Sequence, residues 1–168
     1  MRNYVLIGSI TILSLGLSSC APKPPKQLPP APSTKPVSEA PSTPAGPIPG
    51  SKADFLASVT SDTIHFDTDK YNIDSVSQQI LASQVKWLMR YPSKQITIEG
   101  HCDERGTREY NLALGERRAN AAKDYLSSLG IDPSRIKTIS YGKERPIALG
   151  SNPEAWAKNR RAVTVVVE

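Results

Sequence analysis

The chain has 168 residues, enough for one domain with a core of its own plus extensions. Its net charge of +5 is dispersed, and residues 51–168 carry 17 Lys and Arg against 15 Asp and Glu. A segment so near neutrality is a poor electrostatic match for nucleic acid, where a clustered basic face is expected. Of the 15 prolines, 11 fall between Pro22 and Pro49, so composition divides the chain before any motif is read.

Residues 1–19 read as a secretory leader, with Arg2 ahead of an apolar run from Val5 to Leu17. That run is too short and too rich in Ser and Gly for a spanning helix. It closes on Leu17-Ser18-Ser19-Cys20, which resembles the lipobox of bacterial lipoproteins. There the Cys becomes the lipidated first residue, and Ala21 behind it implies sorting to the outer membrane. Each buried CH2 is worth about 0.8 kcal/mol, so several acyl chains on Cys20 would hold the protein on a membrane without spanning it. Lipidation of Cys20 leaves Cys102 as a lone thiol, and no intramolecular disulfide is expected.

Residues 20–50 are expected to be a disordered tether, since Pro, Ser, Thr, Ala and Lys cannot bury enough apolar surface to fold. Proline density favours extended polyproline II, which at about 3.1 Å per residue reaches roughly 100 Å. It serves as a spacer or as a passive linker; the residues fit both.

The globular domain is expected over 51–168. A first strand is read at 58–66, with Val59, Ile64 and Phe66 apolar. Asp74 is suited to cap a helix over 75–91, whose apolar face is Ile73, Val76, Ile80, Trp87 and Leu88. QITIEGH at 95–101 alternates, with Ile96 and Ile98 on one face. Thr107 caps a long helix over 108–129, and Gly130 stops it. Its stripe of Leu112, Gly115, Ala119, Ala122, Leu126 and Leu129 implies close approach to a sheet. A strand at 135–142, a short helix opened by Pro153 and a strand at 161–168 complete the set. The order β-α-β-α-β-(α)-β makes an α/β sandwich, with helices packed on one sheet.

Chemistry concentrates in EGHCDERGTREYNLALGERRANAAK, from Glu99 to Lys123. His101, Cys102, Asp103 and Glu104 are adjacent, so their side chains alternate between faces and do not converge on one ion. No metal-ligand spacing is present, although a cross-strand pair of His65 with His101 is conceivable. A Cys102 nucleophile needs a base within hydrogen-bond reach, and His101 points the wrong way. Asn111, Leu114 and Arg118 share a separate stripe of the long helix. Asp103 enters that helix, and Asp67 and Asp69 end the first strand; the two loops meet if those strands are neighbours. Acids together with an arginine suit a zwitterion, carboxylate for ammonium and guanidinium for carboxylate. A plain surface network of ion pairs is the other reading.

The segments FDTDKYNI, IEGHCDERGTREYNLALGERRANAAKDYL, SYGKERP and AKNRRA, in that order, resemble the OmpA-like peptidoglycan-binding domain. The resemblance covers residues 55–168. It implies a non-enzymatic protein, without cofactor or metal, that binds peptidoglycan through meso-diaminopimelate of the stem peptide. The family's signature acid and arginine fall on Asp103 and Arg118, and an acid of the preceding turn falls on Asp69. The helix Asn and Leu fall on Asn111 and Leu114. Asn159, Arg160 and Arg161 match a motif taken as mainly structural, near the site. Implied partners are the periplasmic β-propeller protein and other components of the Tol system, which act in envelope integrity and cell division. The sequence departs from the family at Cys102 and at Thr68, where relatives often carry an aromatic, so Thr68 enters the ligand set as an altered contact. Loss of peptidoglycan binding with the domain still folded is expected on replacing either Asp103 or Arg118. A cell-wall hydrolase using Cys102 is the alternative. A flagellar stator or a porin is not expected, because no spanning segment follows Cys20 and no run of barrel strands exists.

Overall fold

The computed structural model describes residues 46–168. The leader, the lipidation site Cys20 and the tether up to residue 45 lie outside the described residues. Within them, α1 (Lys52–Ser58), β1 (Thr63–His65), α2 (Ser75–Arg90), β2 (Ile96–His101), α3 (Arg108–Ser128), β3 (Ile136–Gly142), α4 (Pro153–Asn159) and β4 (Arg161–Val166) follow in order. The sheet order is β1-β4-β2-β3. β2 and β3 run parallel, while β4 is antiparallel to both β1 and β2.

Local signals place the helices. Asp74 accepts from Ser77 N at 2.7 Å, Thr107 from Tyr110 N at 3.2 Å and Asn152 from Ala155 N at 2.9 Å. Each satisfies a first-turn donor that has no intrahelical partner. Along the strands, Ile64, Ile96, Ile98, Ala162 and Val166 point at the helices and are buried. Thr97, Glu99, Val163 and Val165, one residue out of phase, lie partly exposed on the other face. The core sits between the first face and the helices, around Leu81, Trp87, Leu88 and Leu126.

The first strand differs from its expectation. Residue 58 ends a helix, and only Thr63–His65 pair, with Arg161–Val163. Ser51 Oγ caps α1 by accepting from Asp54 N at 3.1 Å, and Asp54 Oδ2 accepts from Gly50 N at 2.9 Å. Asp54 also accepts from Trp87 Nε1 at 2.9 Å, while Phe55 packs edge-on against Trp87 at 5.0 Å. Residues 60 and 61 are drawn to α2 instead of a strand, through Ser83 Oγ and Gln84 Nε2. Two apolar assignments also change: Val76 is 62% exposed, and Leu129 lies past the buried stripe.

One contact sets the position of the long helix. A Cβ on Gly100 would lie 1.8 Å from the carbonyl oxygen of Gly115, and one on Gly115 would lie 2.4 Å from Ser140 Oγ. With glycine at both places α3 rests directly on β2. That seats its first turns beside the end of β2, where the charged residues gather.

Candidate functional site

The segment after β2 turns away from the sheet at Cys102 and Asp103 and enters α3 through the loop 103–107. The segment after β1 makes a tight turn at 67–70, with Asp69 in the left-handed region (φ 56°) that Asp adopts more readily than most residues. β1 and β2 are not neighbours, because β4 lies between them. The two loops meet all the same, and arginines join them.

Arg118 is fully buried. Its Nε donates to Lys70 O at 2.9 Å, Nη1 to His101 O at 2.8 Å and Nη2 to Asp67 O at 3.0 Å. Nη1 also reaches Cys102 Sγ at 3.4 Å. One guanidinium thus ties the 67–70 turn to the end of β2. Burial lowers its pKa from the ordinary arginine value, though a guanidinium stays charged. Four of its five donors are spent on the protein, so replacing Arg118 loosens the loops it ties as well as altering the cleft.

Asp103 is 6% exposed and accepts four hydrogen bonds. Arg105 supplies three: backbone N at 3.1 Å, Nε at 3.1 Å and Nη2 at 2.6 Å. Arg160 Nη1 supplies the fourth at 3.3 Å. Burial would raise the carboxyl pKa, but the bonds from Arg105 and then Arg160 outweigh it and hold Asp103 below the usual carboxylate range.

These residues surround a cavity of about 250 Å³. Thr68, Asp69, Cys102, Asp103, Arg105, Gly106, Tyr110, Asn111, Leu114, Arg118 and Arg160 line it. Every ligand residue expected from the sequence lines it. The Asn111 amide donates to Arg105 O at 2.6 Å and Thr107 O at 3.0 Å, which fixes the loop carrying Asp103. Tyr110 OH donates to Asp69 Oδ1 at 3.3 Å. Arg105, Tyr110 and Arg160 were not foreseen as site residues. Arg105 lay two positions past Asp103, and Arg160 was read as structural; only the folded loops show both on one carboxylate.

The neighbours that drew attention in the sequence behave otherwise. His101 points to the helix-free face, stacked on Tyr141 with ring centroids 5.5 Å apart. Neither ring nitrogen has a hydrogen-bond partner, and Glu99 is 3.7 Å away. Burial, then Arg161 and Arg145, lowers its pKa to about 4. His65 sits opposite Arg161, so no His65–His101 pair forms. Burial pushes the Cys102 thiol up, and Sγ donates to Asn111 O at 3.3 Å.

The arrangement, three guanidinium groups and two carboxylates around a small half-open cleft, suits a small zwitterion. The profile of the OmpA family matches residues 65–160. The chain belongs to the OmpA family, among the peptidoglycan-associated lipoproteins. Such a lipoprotein of Agrobacterium fabrum is 58% identical over 118 residues, 70% of this chain and 66% of the relative. That of Rhizobium meliloti is 48% identical over 165 residues, 98% of this chain and 88% of the relative. The crystal structure of the peptidoglycan-associated lipoprotein from Burkholderia pseudomallei superposes with a TM-score of 0.62 at 42% identity, covering 67% of this chain and 93% of that one. In this chain the sheet carries its helices on one face, and the cleft lies at the carboxyl end of β2.

Proposed function

We propose that this lipoprotein is a non-enzymatic link between the outer membrane and the cell wall. In this reading Cys20 carries the lipid, residues 20–50 are the spacer, and the domain at 51–168 grips peptidoglycan in the periplasm. The ligand is the diaminopimelate of the stem peptide. Its distal ammonium meets Asp103 and Asp69, and its carboxylate meets the arginine side of the cleft. Thr68 and Leu114 line the walls, and Arg118 and Asn111 hold the loops in place. Partners are the β-propeller and other proteins of the Tol system, in envelope integrity and division.

The observation that carries this is the convergence of Asp103, Arg105, Arg118 and Arg160 on one cleft, from the loop after β2, from helix α3 and from the junction of α4 with β4. The placement of the chain's entry also supports it. Lys52 N reaches Glu168 Oε1 at 3.3 Å, and Val167 N reaches Gln95 O at 2.9 Å, so the domain begins at the amino end of β2. The cleft lies at the other end, about 20 Å away for a six-residue strand. Co-sedimentation of the purified chain with sacculi tests the reading: the chain pellets, and Asp103→Asn leaves it in the supernatant. An Asp103→Asn protein that pellets like the unaltered chain refutes the site.

The hydrolase alternative has no support at Cys102. The thiol is buried with its pKa raised, its contacts are a carbonyl and a guanidinium, and the adjacent imidazole lies across the sheet. Release of muropeptides that stops on Cys102→Ser would revive it.

A further inference from the structure

Resting on that reading of the cleft, we infer that Arg105 is its specificity gate: the Arg105 guanidinium occupies the place of the ligand's ammonium on Asp103, and a ligand displaces it only by bringing a cation for Asp103 together with a carboxylate for the released arginine. The argument begins with capacity. A carboxylate has about four acceptor positions. Asp103 already accepts three bonds from Arg105 and one from Arg160. An ammonium has nowhere to bind until a donor leaves.

Only one of those donors is free to move. The Arg105 backbone N is fixed by the loop, which Asn111 holds at 2.6 Å and Lys143 Nζ clamps through Glu104 O and Gly106 O. Arg160 is 15% exposed at its side chain, and its Nε is committed to Phe66 O at 2.9 Å. The Arg105 side chain is 42% exposed. Beyond Asp103 it has a 3.3 Å bond to Thr68 Oγ1 and the face of Trp156 at 4.3 Å. It can rotate across the mouth of the cleft with that stacking retained.

The exchange sets the selectivity. A ligand with ammonium and carboxylate on one carbon replaces the Arg105–Asp103 pair by two new pairs, and no charge loses its partner. A ligand with an ammonium alone only exchanges one pair on Asp103 for another and leaves Arg105 without an anion. A site whose charged group is left unpaired rejects the analogue lacking the partner. The gate therefore distinguishes the distal centre of diaminopimelate from a lysine side chain, and from diaminopimelate whose distal carboxylate is amidated.

Titration calorimetry of the purified chain with three stem tripeptides tests this. They carry, at the third position, diaminopimelate, its distal amide, or lysine. The unaltered chain should prefer diaminopimelate by about tenfold or more over both others. In Arg105→Gln the lysine peptide should bind more tightly than to the unaltered chain, and the preference should fall to about twofold. Arg105→Lys, which keeps the charge and loses the two-point fork, should fall between. If Arg105→Gln does not fold by thermal unfolding, Arg105→Lys decides alone. A preference unchanged in the variants, or a lysine peptide bound more weakly by Arg105→Gln, overturns the gate. An unaltered chain that binds none of the three overturns the reading of the cleft itself.

Discussion

The two sides of the end of β2 make an instructive pair. His101 and Asp103 are two residues apart, and both are nearly inaccessible. On the side covered by α3, each polar group has its partners: Asp103 accepts four bonds, and Arg118 donates to three carbonyls and a thiol. On the helix-free side, the His101 imidazole has no hydrogen bond and lies among Arg145, Arg161 and Glu99. Residue type alone ranks the histidine as the more reactive. Convergence ranks it last, because a binding site needs groups held in place by others, and only the covered side has them.

Substitutions on the two sides should therefore differ in size. The largest effect is expected from Arg118→Ala, which leaves Lys70, Asp67 and His101 carbonyls without their donor and frees the 67–70 turn. A loss of about 3–5 kcal/mol in urea unfolding is expected, because each orphaned group costs about 1–3 kcal/mol. Gly100→Ala comes next: the new methyl meets the Gly115 carbonyl and lifts α3, at about 2–3 kcal/mol. Its neighbour Glu99, on the opposite face, should tolerate Ala within about 0.5 kcal/mol. Equal losses at positions 99 and 100 would dissolve the contrast.

The acid response should belong to the other side. His101 takes up a proton near pH 4 in the folded chain, against 6.5 for a free imidazole. The unfolded chain therefore protonates first. The contribution of His101 to stability is full above its unfolded pKa of about 6.5 and is lost as pH falls from there to about 4, by at most about 1.4 kcal/mol per pH unit. Urea midpoints measured across that range should fall, and His101→Leu should flatten the curve. His65, also lowered by burial, contributes in the same direction. The smallest effect is expected at Cys102→Ala: within about 1 kcal/mol by urea unfolding, with peptidoglycan co-sedimentation unchanged.

Much of the fold was legible because its signals are local. The caps at Asp74 and Thr107, Pro153 at the start of α4, and the alternation of Ile96 and Ile98 each act within a few residues. α1 was missed because its stability comes from afar, from Phe55 and Asp54 against Trp87 on α2. Within the site, Asp103 and Arg118 were legible by spacing and resemblance, but what Arg118 holds was not. Its partners are backbone carbonyls, which leave no mark on the residue types. The role of Arg160 was hidden because it acts across 57 positions of sequence, and that of Arg105 because the conformation of its own loop turns it back onto Asp103.

The most direct measurement is calorimetric binding of a diaminopimelate stem tripeptide to the unaltered chain and to Asp103→Asn, with thermal unfolding of both in parallel. The account predicts saturable one-to-one binding by the unaltered chain and a loss of about tenfold or more in the variant, with the unfolding transition still cooperative. Equal affinity of the two proteins for the peptide would contradict it.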